Sequence, residues 1–197
     1  IHGGYKVDES LARGIAIHPT AAYHFTSCDY AANLFTLSEP GYIYTRLHNP
    51  TTAAYEERIA ALYGGVGALA TSSGMSAILL TITALAKAGD NIVASPYLYG
   101  GTHNQFVISL RNLGVECRLA KSDSAEDIAA LIDDNTRAIF AESMGNPTCR
   151  VIDIEALAEV AHSNNIPLTV DNPFGAGGHL CNAHAWGADS ITESATK

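Results

Sequence analysis

The sequence predicts an α/β fold with a mostly parallel sheet and helices on both faces. Three observations carry this. Short β-prone runs alternate with helical stretches from Ala68 to Thr192. Strand, helix and strand at this spacing imply right-handed βαβ units. And 47% of the 197 residues are hydrophobic, enough for a buried core of one domain or two.

Up to about Asn49 the chain has little sustained periodicity and frequent Gly, Pro, Thr and aromatic residues, so an extended arm is expected over 1–49. Asn49-Pro50-Thr51-Thr52 offers N-cap candidates and a proline suited to a first helical position. Tyr55, Arg58, Ile59 and Leu62 then recur at helical spacing until Gly64-Gly65 ends the helix. Next come a strand at Ala68 to Thr71 and a helix at Met75 to Lys87, then a strand at Asn91 to Ser95 and a helix at Thr102 to Leu113. The rhythm continues with Val115 to Leu119 and a helix at Ala125 to Ile132, then Arg137 to Glu142 and a helix at Ile154 to His162. Strands at Pro167 to Asp171 and near Ser190 to Thr192 complete it.

The formal net charge of −9 argues against a basic surface for nucleic acid. The longest apolar run, Ala77 to Ala86, is about half of what a membrane span needs and carries Thr81 and Thr83. Cys28, Cys117, Cys149 and Cys181 form no C-x-x-C pair and no disulfide framework, so a reducing, cytoplasmic setting is expected. The opening Ile1-His2-Gly3-Gly4-Tyr5 has neither a secretory pattern nor an initiator Met, which reads as a trimmed start.

Ligands of parallel sheets sit at the carboxyl ends of the strands. There Ser72-Ser73-Gly74-Met75-Ser76 opens a helix, and the free N–H groups of a first turn suit a phosphate. A plain serine-capped turn explains the same residues. Gly65-Val66-Gly67-Ala68-Leu69-Ala70 precedes a strand instead of following one, so it fails as a dinucleotide fingerprint, and no Walker A pattern is present. Asp171 ends one strand and Lys197 follows Ser194-Ala195-Thr196; the chain has only three other lysines, Lys6, Lys87 and Lys121. An acid for a pyridine nitrogen, an imine-forming lysine and a phosphate cradle are the demands of pyridoxal phosphate (PLP) chemistry. A turn-capping acid and a solvated lysine are the plainer account. His179, Cys181 and His184 form H-x-C-x-x-H but have no further ligand pair, so no metal is expected.

Seven motifs in order, Tyr44-Thr45-Arg46, Asn49-Pro50-Thr51, Ser72-Ser73-Gly74-Met75, Leu98-Tyr99-Gly100-Gly101-Thr102, Glu142-Ser143-Met144-Gly145-Asn146-Pro147, Val170-Asp171-Asn172 and Ser194-Ala195-Thr196-Lys197, closely resemble the transsulfuration (Cys/Met metabolism) family of PLP-dependent enzymes. The resemblance implies the PLP-dependent transferase fold of type I. Residues 1–49 would be an arm that completes a neighbouring subunit's site, and 50–197 the N-terminal part of the large cofactor domain. The C-terminal domain, with the arginine that binds the substrate carboxylate, would lie beyond Lys197, making this chain a segment of a longer protein. Lys197 would form the imine with PLP and then shuttle protons, its pKa lowered by burial and the cofactor. Asp171 would pair with the pyridine nitrogen, Tyr99 would stack on the ring and assist proton transfer at the leaving group, and Asn146 would bond near the ring's phenolic oxygen. Gly74, Met75, Ser194 and Thr196 would hold the phosphate, with Tyr44 and Arg46 reaching it from the neighbouring subunit. A homo-oligomer, a dimer of dimers, is implied.

Within the family, Leu34 to Arg46, Met144 to Pro147 and Phe174 to Cys181 look most like O-acetylhomoserine sulfhydrylases. The implied reaction is γ-replacement on O-acetyl-L-homoserine: acetate leaves Cγ and sulfide or a thiol adds there, giving homocysteine or a thioether amino acid. A γ-lyase or cystathionine γ-synthase of the same family is the alternative, and a phosphate-binding module or structural subunit is the non-enzyme one. Two positions depart from the family pattern, Pro173 where threonine is common and Glu193 where histidine is common.

Overall fold

The computed structural model describes residues 3–5, 7 and 9–197. Ile1, His2 and Lys6, which enter the sequence reading, lie outside the described residues. The chain divides into two compact units, 1–70 and 71–197.

In the first unit the arm is not wholly extended, because α1 spans Cys28–Phe35. Ser27 caps it, its hydroxyl accepting the Tyr30 N–H at 3.0 Å. Leu34 is the one side chain α1 buries, although Cys28, Ala31, Ala32 and Phe35 recur at helical spacing along its eight residues. Helix α2, Pro50–Tyr63, follows the expected caps: the Asn49 side chain accepts the Thr51 N–H, Pro50 opens the first turn, and Gly64 closes the helix at φ 70°. Asn49 Nδ2 donates to the His18 carbonyl, and Thr51 accepts the His18 N–H and donates to the Ala16 carbonyl. These bonds fasten the arm to the start of α2, so this unit runs past the change of composition at Pro50 to Ala70.

The strand expected at Ala68 to Thr71 does not form. Leu69 is 75% exposed, and the Ala70 N–H is taken by the Glu56 carboxylate at 2.7 Å instead of a neighbouring strand. β-propensity without a ladder partner leaves only extended chain.

The second unit begins with α3, Gly74–Leu85, capped by Ser73. It then runs β1 (Asn91–Ala94), α4 (Gly100–Asn104, continued as a π-helix over Gln105–Leu110), β2 (Glu116–Leu119), α5 (Ala125–Ala129), β3 (Thr136–Glu142), α6 (Ile154–Ser163), β4 (Leu168–Asp171) and β5 (Ser190–Thr192). The five strands form one sheet in the order β2-β1-β3-β4-β5, and every pairing is parallel.

Alternate strand residues feed two cores. Ile92, Ala94, Ala138 and Phe140 pack with Ile78 and Ile82 of α3 and with Phe106 and Leu110. Val93, Ile139, Ala141, Leu168 and Val170 pack on the other face with Ile128 of α5 and Leu157 and Ala161 of α6. Helices therefore cover both faces, as the near-continuous apolar strands require.

The amino ends of the strands carry a polar network. Asn91 donates to Asp133, Thr136 to Asn91, and Arg118 and Arg137 pair with Asp133 and Asp90. Strand order reverses at β1, which leads to β2 on one side and is flanked by β3 on the other. The carboxyl ends of β1 and β3 thus frame the crevice in which such sheets bind ligands.

Candidate active site

Four strand ends and one helix start supply every candidate residue of the second unit. Tyr99 follows β1, Asn146 follows β3, Asp171 ends β4, and Ser194, Thr196 and Lys197 follow β5. Gly74 and Met75 begin α3. A Cβ on Gly74 would come within 3.0 Å of Ser194 Cβ and 3.2 Å of Ser194 Cα. The absent side chain is what lets the lysine loop approach the helix start. A Cβ on Gly101 would meet Tyr99 Cε1 at 2.6 Å and Met75 Sδ at 3.4 Å, which places the Tyr99 ring beside Met75.

Asp171 is buried, and Thr192 donates its hydroxyl proton to Asp171 Oδ1 at 2.7 Å. Register explains the contact, because Asp171 and Thr192 are partners across β4 and β5. Burial pushes the Asp171 carboxyl up to about 6; the Thr192 hydroxyl opposes this, Glu193 adds to it, and Lys197 opposes it. The carboxylate lies deep enough to gain from a cation and close enough to Lys197 to feel its charge.

Glu142, the last residue of β3, is Asp171's partner across β3 and β4. Burial pushes its carboxyl to about 7, with the Tyr99 N–H favouring the charged form and the Asp171 charge disfavouring it. Sequence reasoning quoted Glu142 only within a motif and missed Thr192. Knowledge of strand register could have found both.

The other candidates are exposed. Lys197 is exposed, so the burial expected of it is not seen; its backbone N–H closes a turn onto the Ser194 carbonyl at 3.1 Å. Thr196 and Asn146 are exposed, and Tyr99 is half-exposed. Asn146 precedes Pro147 across a cis peptide in a loop closed by the Met144–Val151 bridge. That loop lies against Tyr97, since a Cβ on Gly145 would come within 3.0 Å of it and Arg150 stacks on its ring at 5.0 Å. Tyr44 and Arg46 belong to the first unit, where both are exposed and the guanidinium lies 5.7 Å from the ring centroid.

Among the described residues no group of three or more His, Cys, Asp or Glu converges as metal ligands. His184 Nδ1 instead contacts the Ala188 carbonyl at 2.7 Å. Among the same residues no helix is long and apolar enough to cross a membrane.

The set fits PLP by its donor chemistry: a glycine-containing helix start for phosphate, an aromatic face at Tyr99, and a buried carboxylate, Asp171, that would pair with a cationic ring nitrogen. In the structure, Gly74 costs no clash only because it lacks a Cβ. Gly74→Val is expected to push Ser194 off the helix start and weaken PLP binding about tenfold or more, measured by titrating the cofactor-free protein.

Comparison with known proteins agrees over the whole chain. The family model for Cys/Met metabolism PLP-dependent enzymes matches residues 1–197. Homocysteine synthase of Schizosaccharomyces pombe is 50% identical over 198 residues, covering 100% of this chain and 46% of that protein. O-acetyl-L-homoserine sulfhydrylase 1 of Thermus thermophilus is 49% identical, covering 100% and 47%. An O-acetylhomoserine (thiol)-lyase from Campylobacter jejuni, solved with a pyridoxyl-lysine phosphate, superposes with a TM-score of 0.96 at 36% identity, covering 100% of this chain and 48% of that one. The chain spans about half the length of the curated relatives it matches. With the parallel sheet and the crevice residues already in place, these matches make the chain a member of the Cys/Met metabolism family of PLP-dependent enzymes.

Proposed function

We propose that the longer protein containing this chain catalyses PLP-dependent γ-replacement, converting O-acetyl-L-homoserine and sulfide or a thiol into homocysteine or a thioether amino acid and acetate. The observation that carries the cofactor chemistry is Asp171, a buried carboxylate at a strand end whose ionisation burial disfavours and Lys197 favours. The substrate is supported by relatives named for this reaction at about half identity along the full chain.

PLP, when bound, supplies an electron sink that lowers the cost of removing the substrate's Cα proton. Lys197 would hold PLP through its side-chain amine and, when that amine is free, would take the Cα proton and return protons to carbon. Asp171 keeps the ring nitrogen protonated. Tyr99 offers its exposed face to the ring, and Asn146 bonds near the phenolic oxygen. The N–H groups of Gly74 and Met75 with the hydroxyls of Ser194 and Thr196 hold the phosphate. Tyr44 and Arg46 act in a neighbouring subunit's site, within a dimer of dimers, and their exposure supports that reading. The setting is cytoplasmic, consistent with four free cysteines.

Incubation of the full-length protein with O-acetylhomoserine tests the reaction. Homocysteine that appears only when sulfide is added supports replacement, whereas 2-oxobutyrate and ammonia regardless of sulfide would make it a γ-lyase.

A further inference from the structure

Glu142 is 3% exposed and has no part in the chemistry assigned above. Its Oε1 accepts the backbone N–H of Tyr99 at 2.8 Å. Tyr99 is the N-cap of α4, and its own side chain caps nothing. The loop before it is anchored by the Ser95 N–H on the Phe140 carbonyl at 3.1 Å and by a 3.3 Å bond from the Tyr97 N–H to the Ser95 hydroxyl. Glu142 therefore carries the last fastening before the aromatic ring. An oxygen accepting from a backbone N–H in a buried place, where no water competes for the donor, makes a short-reach tether that depends on the reach of the side chain.

The other end of that tether is also informative. Glu142 and Asp171 are registered partners on parallel strands, and such partners project to the same face about 4.8 Å apart. We propose that Glu142 is a positioning residue, hanging the Tyr99 ring from β3 at a fixed offset from Asp171 on β4. One strand pair then sets both the aromatic face that receives the cofactor ring and the carboxylate that pairs with its nitrogen. The inference rests on the roles proposed above for Tyr99 and Asp171.

Two conservative variants of the full-length protein separate reach from charge. Glu142→Gln keeps an oxygen at the same reach and loses the charge; Glu142→Asp keeps the charge and shortens the reach by one methylene. Three readouts apply: hydrogen exchange of the Tyr99 amide in cofactor-free protein, visible circular dichroism of the bound cofactor, and kcat. Glu142→Gln is expected to stay close to wild type in all three. Glu142→Asp is expected to exchange the amide about tenfold faster, to lower the dichroism to the level of Tyr99→Ala, and to lower kcat about tenfold. Adding Tyr99→Ala to Glu142→Asp should lower the dichroism no further, because both act through one ring.

The reverse order of Gln and Asp, additive losses in the double variant, or two variants that both behave as wild type would each overturn the proposal. Should the wild-type protein bind no PLP, the reading of its function fails. Amide exchange in the cofactor-free protein then still decides whether Glu142 holds Tyr99.

Discussion

Lys197→Ala is expected to abolish the covalent attachment of PLP and to lower kcat by roughly 10³-fold or more. The expectation follows from its place after β5, where its charge already reaches the buried Asp171, and from the absence of another lysine among the motif residues at the strand ends. Borohydride reduction followed by peptide mapping reads it directly. The wild-type full-length protein should carry the reduced label on Lys197, and the variant should carry none while retaining PLP held through its phosphate. A label on another lysine, or an unchanged yield from the variant, would remove Lys197 from the chemistry.

Asp171→Asn comes next in size. An amide cannot hold a proton on the ring nitrogen by opposite charge, so kcat is expected to fall on the order of 10²-fold to 10³-fold even though the side chain keeps its shape and its Thr192 contact. The same residue makes a pH prediction whose sign follows from burial. Asp171 is pushed up to about 6 and Glu142 to about 7, both above the ordinary carboxylate range. Each binds its proton more tightly in the folded protein than in the unfolded chain. Its stabilising contribution is therefore complete below about pH 4 and is lost as the pH rises through about 6 and 7.

Cofactor-free protein should thus become less stable as the pH rises from about 4 to 7. Urea unfolding across that range should show the loss, and Asp171→Asn should remove its share. Asp133 and Asp90 are held below the usual range by their hydrogen bonds, Asp133 chiefly by Asn91 and Asp90 chiefly by the Lys87 N–H, so their contributions change at lower pH. A bound protonated ring nitrogen supplies the cation that burial withholds from Asp171. PLP affinity is accordingly expected to rise with pH through about 6.

Much of the fold was legible because the signals were local. Asn49, Pro50 and Gly64 bound α2 as their chemistry requires. The five apolar runs beginning near residues 91, 115, 137, 167 and 190 became the five parallel strands. The apolar run at 68–71 misled because a strand needs a partner, and the Ala70 N–H finds the Glu56 carboxylate instead. Helix α1 was legible too, in the Ser27 cap and the spacing of Cys28, Ala31, Ala32 and Phe35, but a period sustained over only eight residues is a short signal within a stretch rich in Gly, Pro and Thr.

The sequence by itself determined the fold class, the motif order and the family, since period, caps and residue types are written within short windows. Only the tertiary structure decided that Glu142 grips Tyr99, that Thr192 grips Asp171, and that Gly74 makes room for Ser194. Those contacts join residues 21 to 120 positions apart, and they follow from parallel register and close packing, which no local pattern of side chains specifies.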